Sequence, residues 1–114
     1  MTQTDHRKTQ RFELKLPIEL VRTGGARLSK VSETRNVSSS GVLFLSELQL
    51  PIGDPIEYVL TLPTGKEPLK VRLHCVGTVI RMEAREQRTP RDQERPFNVA
   101  ATLDRYEFIR DGRQ

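Results

Sequence analysis

Four stretches of this chain alternate apolar and polar residues with a period of two, and no segment before residue 104 carries the 3.6-residue period of an amphipathic helix. In the first, Phe12, Leu14, Leu16, Ile18 and Leu20 share one face, with Glu13, Lys15, Pro17 and Glu19 on the other. Ile56, Tyr58, Leu60 and Leu62 repeat the pattern, as do Leu69, Val71, Leu73 and Cys75, and then Phe97, Val99, Ala101 and Leu103. Side chains alternate across a strand, so each stretch reads as a strand with one buried face. A polar strand over residues 28–37 and the apolar run Val42–Leu45 bring the expected count to six. Turn chemistry separates them at short spacing: Thr23-Gly24-Gly25-Ala26, Ser38-Ser39-Ser40-Gly41 and Pro63-Thr64-Gly65-Lys66. The expected fold is all-β, a six-stranded antiparallel β-barrel. Pro17 is expected at an edge or bulge, and Gly77 at a bulge or a tight barrel corner.

The flanks read differently. Residues 1–11 are expected to form a flexible basic arm, residues 12–103 the barrel, and residues 104–114 a short helix and tail. Asp104 and Glu107 have the spacing of a capping box, Leu103 and Phe108 that of a hydrophobic staple, and Gly112 can close the last turn. Two helical turns are unstable alone, so this helix is expected to form by docking Phe108 and Ile109 on the barrel.

With 114 residues, one domain is expected. No apolar stretch approaches the length of a membrane-spanning helix, and the first residues lack the apolar core of a signal peptide. The single cysteine, Cys75, excludes an internal disulfide framework. A cytoplasmic location is therefore expected. The net charge of +4 leans toward anionic partners, and the arm carries part of the excess, with Arg7, Lys8 and Arg11 against Asp5.

Two short runs carry the chemistry. Arg7-Lys8-Thr9-Gln10-Arg11 sets two arginines four apart just ahead of the first strand, and Asn36-Val37-Ser38-Ser39-Ser40-Gly41 lies at the junction of two later strands. The guanidinium fork matches phosphate oxygens and the O6/N7 edge of guanine, and it can stack on a base. The polar corner offers acceptors for guanine N–H groups, and its glycine permits close approach. Read together, they point to a site for an anionic guanine nucleotide.

The pair R-x-x-x-R and [D/N]-x-S-x-x-G resembles the signature of the PilZ domain family. Val42-Leu43-Phe44-Leu45, Leu50-Pro51-Ile52-Gly53-Asp54, Gly77-Thr78-Val79-Ile80-Arg81 and the closing strand from Phe97 to Leu103 extend the likeness to about Tyr106. Asn36 stands where many relatives carry aspartate, which removes a charge and keeps a carbonyl acceptor. The resemblance implies a bacterial, non-catalytic receptor of the second messenger cyclic di-GMP, with Arg7, Arg11, Asn36, Ser38 and Gly41 as nucleotide-binding residues. Lys8 and Arg81 are secondary candidates, since side chains from the strand bearing Arg81 can flank a bound base in the family. Binding is expected to order the arm over the barrel face. A chain of this length is expected to pass the signal to a separate effector protein or to relay it by self-association.

Each of these residues also has a plainer role: a solvated arm for the arginines, and turn architecture for Asn36, Ser38 and Gly41, with a left-handed backbone at the glycine. Two alternatives stand beside the receptor. One is a PilZ-like protein-interaction module with weak or no nucleotide binding. The other is a basic nucleic-acid-binding barrel, which ranks last because stacking platforms need clustered aromatics, and Phe12, Tyr58 and Phe97 fall on inward faces. His6, His74 and Cys75 are too few and too scattered for a metal site, and no catalytic constellation is recognisable.

Overall fold

A computed structural model describes residues 14–66, 69–86 and 89–109. Its strands are β1 (Pro17–Thr23), β2 (Ala26–Ser38), β3 (Gly41–Ser46), β4 (Pro55–Pro63), β5 (Lys70–Ala84), β6 (Phe97–Thr102) and β7 (Arg105–Ile109). A 3-10 turn, Pro90–Glu94, interrupts the β5–β6 connection. The strands run in the order β4-β1-β2-β3-β6-β5, and β5 returns to β4, so six antiparallel strands close into a barrel. Closure gives every strand of the ring a neighbour on each side over at least part of its length, so no strand of the ring stands at the end of the sheet. The fifteen-residue β5 makes this possible: Lys70–Thr78 lies on β4, and Val79–Ala84 lies on β6.

The alternating residues supply the core. Ile18, Leu20, Ile56, Tyr58, Leu60, Cys75, Val79, Val99 and Ala101 are all buried in one cluster, joined by Val42, Phe44 and Leu50. The Tyr58 hydroxyl reaches a partner from inside it, donating to the Thr102 carbonyl at 2.9 Å. Thr34 is a wholly buried polar side chain, and it too is satisfied. The Leu16 N–H donates to Thr34 Oγ1 at 2.9 Å, and that hydroxyl donates to the Leu14 carbonyl. These bonds fasten the approach to β1 along β2.

The sequence places the ends of elements less well. Strand β1 opens at Pro17, a position where the missing N–H costs no ladder bond. Its bulge falls between Leu20 and Arg22. Leu14 precedes the strand and is partly exposed, and Leu69, expected inside, sits in the turn before β5 with its N–H on the Lys66 carbonyl. Gly77 is the tight corner of the two expected possibilities: a Cβ there would lie 1.8 Å from the Thr102 carbonyl oxygen. The β5 bulge comes slightly later, between Val79 and Arg81.

The expected C-terminal helix is overturned. Residues Arg105–Ile109 form β7, which pairs antiparallel with Arg72–Val76 of β5. The Asp104 N–H, free to begin a helix in the capping-box reading, instead donates to the Val76 carbonyl at 2.8 Å. Beyond the reach of β6, the first half of β5 has an open edge. Tyr106, Phe108 and Ile109, all good strand formers, satisfy it, and tertiary pairing outweighs the local helix signal. Residues 110–114 lie outside the described residues, as does the arm with His6, Arg7, Lys8, Arg11 and Phe12.

Candidate functional site

Two bulges set the site. In β2 the register shifts between Thr34 and Asn36, so Thr34 points into the core and Val37 packs against it, with Asn36 left on the outer surface. In β5 the shift between Val79 and Arg81 does the same: Val79 is buried, Met82 packs inward, and Ile80 and Arg81 are both exposed. A bulge adds one residue to one strand and re-aims the side chains beside it.

Asn36 pairs with Leu43, Leu43 with Ala100, and Ala100 with Arg81. These four residues form one row across β2, β3, β6 and β5. At the usual strand spacing the row spans about 14 Å. Leu43 and Ala100 make a low apolar floor, with a carboxamide at one end and a guanidinium at the other. Together with Ser38 and Gly41 they line a shallow open hollow on the barrel wall.

The β2–β3 hairpin borders that floor. Ser38 pairs with Gly41 across a two-residue turn. Ser38 Oγ accepts the Ser40 N–H at 3.2 Å and lies 3.2 Å from the Ser40 hydroxyl, so part of its role is to shape the turn. The Ser40 carbonyl accepts the Leu103 N–H at 2.9 Å, which fixes the tip against the end of β6. Gly41 has an ordinary backbone, and the left-handed conformation expected for it belongs instead to Gly24, Gly53 and Gly65. What demands glycine at 41 is proximity: a Cβ would stand 2.5 Å from the Ala101 carbonyl oxygen. The residue lets β3 and β6 close together under the floor.

Thus Arg81, forty residues further along the chain, joins Asn36, Ser38 and Gly41 on one surface. Arg7, Lys8 and Arg11 lie outside the described residues. Leu14, three positions after Arg11, is hydrogen-bonded through its carbonyl to Thr34, two positions before Asn36. Three residues of chain reach at most about 10 Å. Beside Asn36, the bulged Arg35 lines a neighbouring groove with Lys15, Arg85 and Arg95, offset by Glu33 and Glu94. Leu43, Ala100 and Ile80 had not been assigned to the site. Only Ile80 has a signal in the sequence, the irregular apolar pattern after Gly77.

Among the described residues, the other titratable groups form no second centre of chemistry. His74 Nε2 lies 3.1 Å from Glu57 Oε1, and Arg22 Nε lies 3.5 Å from Glu57 Oε2, on the outside of the barrel. Among the described residues, no three potential metal ligands cluster. Burial pushes the Cys75 thiol up to about 11 and holds the Tyr58 phenol well above its ordinary value, which makes both poor nucleophiles.

The closed barrel matches a known fold. The family profile described as "PilZ domain" matches residues 5–102, most of the chain and all six strands of the ring. The chain belongs to the PilZ domain family. That family is of the cyclic di-GMP-binding type, and its domains are in general receptors without catalytic activity. Among solved structures, this PilZ domain resembles the Bacillus subtilis inhibitor of motility (MotI/DgrA), with a TM-score of 0.68 at 12% sequence identity. The likeness covers 91% of this chain and 44% of that one, so the chain spans less than half the length of the solved protein. At that identity the shared feature is the fold. A comparison with curated proteins gives no match.

Proposed function

We propose that this PilZ domain is a non-catalytic cyclic di-GMP receptor. One of the ligand's two guanines lies on the Leu43–Ala100 floor, and its phosphates are held by Arg7 and Arg11. The observation that supports this reading best is the cross-strand row Asn36–Leu43–Ala100–Arg81 beside the Ser38–Gly41 corner. Asn36 offers a carbonyl acceptor to the N1 and N2 hydrogens of guanine, and Arg81 at the far end offers donors to its O6/N7 edge. The flat floor admits the base, and Gly41 keeps the border of the site low.

The arginines before β1 supply the charge. Hydrogen bonds to charged groups contribute about 1.5–3 kcal/mol each, against about 1 kcal/mol for neutral ones, so the phosphate contacts dominate affinity. The bond between Thr34 and Leu14 supports their reach, because it holds the chain close to Asn36 a few residues after Arg11. Ligand binding draws residues 1–11 over the outer face of the barrel, and the changed surface is what a separate effector protein reads.

Calorimetric titration tests the proposal. Cyclic di-GMP binds in preference to GTP and cyclic di-AMP, and Arg11→Ala weakens binding by about 10- to 150-fold, the loss of about 1.5–3 kcal/mol that one charge-assisted contact to a phosphate contributes. Arg11→Ala binding with wild-type affinity would remove this residue from the site. Wild-type protein that takes up no cyclic di-GMP would favour a PilZ-like protein-interaction module instead.

A further inference from the structure

Among the described residues, β7 is the one strand outside the closed ring, and it takes no part in the proposed nucleotide site. Among the described residues it pairs with β5 on one side only, so its other edge is open. Arg105, Tyr106, Glu107 and Phe108 are all exposed. Tyr106 lies opposite Cys75 and Phe108 opposite Leu73, so both rings sit on the face that the barrel elsewhere turns inward. Here nothing among the described residues covers that face, and the two rings are 58% and 65% exposed. They meet edge to face, with centroids 6.2 Å apart. Arg105 and Glu107 point to the other face, and among the described residues neither has an ion-pair partner.

Open edges with apolar side chains are templates for another strand, and folded proteins usually blunt them with charge. The charges on β7 do not repel a second copy of the same strand; they match it. In an antiparallel pair related by a two-fold axis, residues on the same face must stand opposite each other. Centring that pair on Tyr106 puts Arg105 opposite Glu107 of the other copy, and Glu107 opposite its Arg105. It also stacks Tyr106 against its own copy. Two ion pairs and one aromatic pair therefore arise from a strand of five residues. The register centred on Glu107 would instead set two glutamates face to face.

We infer that β7 is a self-association edge: two copies of this chain join β7 to β7 antiparallel, centred on Tyr106, and the two barrels share one continuous sheet. The occupant of the open edge is a second copy of this chain, chosen by charge complementarity along the strand. The contact lies away from the Asn36–Arg81 row, so it stands or falls independently of nucleotide binding.

Light scattering on the full-length chain over a wide concentration series tests this. Wild-type protein shows a monomer–dimer equilibrium. Glu107→Arg and Arg105→Glu each turn two attractive pairs into repulsive ones. At up to about 1 kcal/mol per cross-strand pair, each variant raises the dimer dissociation constant by about tenfold or more. An equimolar mixture of the two variants restores the dimer, because the arginines of one strand then face the glutamates of the other. Both positions are exposed, and circular dichroism confirms that the variants keep the fold. A wild-type chain that stays monomeric throughout overturns the inference. So does a dimer that either variant leaves intact, or a mixture that fails to associate.

Discussion

Asn36 carries the most specific residue-level expectation, because its chemistry separates base from phosphate. Under a guanine edge, Asn36→Asp keeps or modestly improves binding, since charged acceptors form hydrogen bonds about twice as strong as neutral ones. Asn36→Ala removes the acceptor and weakens binding by more than the loss of either neighbouring serine hydroxyl. Calorimetric affinities for these variants decide it. An aspartate that abolishes binding while alanine is tolerated places residue 36 beside a phosphate. The sequence made Asn36, Ser38 and Gly41 legible through their spacing, since a hairpin corner is local. It misassigned the reason for Gly41, because the Ala101 carbonyl that excludes a Cβ lies sixty residues away. Leu43 and Ala100 were illegible as floor residues: alone, each is an ordinary strand residue, and only cross-strand register reveals the row.

At the scale of elements, the device that builds the site is the pair of bulges in β2 and β5. Neither leaves a clear mark in the sequence. The polar character of β2 hides its period, and the apolar pattern of β5 merely loosens after Gly77. The strands themselves were legible because one buried face imposes a period of two. The C-terminal helix was misread for the opposite reason. Asp104 and Glu107 carry a valid local signal, but the open edge of β5 decides what the segment becomes. Thr34 offers a test of how the elements connect to the arm. Thr34→Val keeps the shape and removes the hydroxyl that accepts the Leu16 N–H and donates to the Leu14 carbonyl. Leaving such buried groups unpaired costs about 1–3 kcal/mol, so chemical denaturation should show a loss of that size. It should also weaken cyclic di-GMP binding, because the chain leading to Arg11 is then held beside Asn36 only by the Thr34 N–H on the Leu16 carbonyl. Unchanged stability would show that water replaces the hydroxyl at no cost.

The whole molecule is a closed barrel around one core, and that core holds two ionisable groups in their neutral forms. Burial raises the Cys75 thiol from an ordinary 9.0 to about 11 and raises the Tyr58 phenol in the same direction. Well below pH 9 both groups are protonated whether the chain is folded or unfolded, and neither affects stability. As pH rises from about 9 to about 11, the unfolded chain releases these protons while the native barrel retains them, so stability falls. Denaturation midpoints measured from pH 8 to 11 should decline across that window, and a flat profile would contradict the burial of these groups. The same closed ring pairs β2, β3, β6 and β5 into one continuous outer wall, and the proposed ligand recognition rests on that wall. Backbone amide shifts on titration with cyclic di-GMP test that dependence most directly. The account predicts that the largest shifts fall on Asn36, Ser38, Gly41, Leu43, Arg81 and Ala100, with Tyr106 and Phe108 unmoved. Absent shifts, or shifts centred on any other face of the barrel, would contradict it.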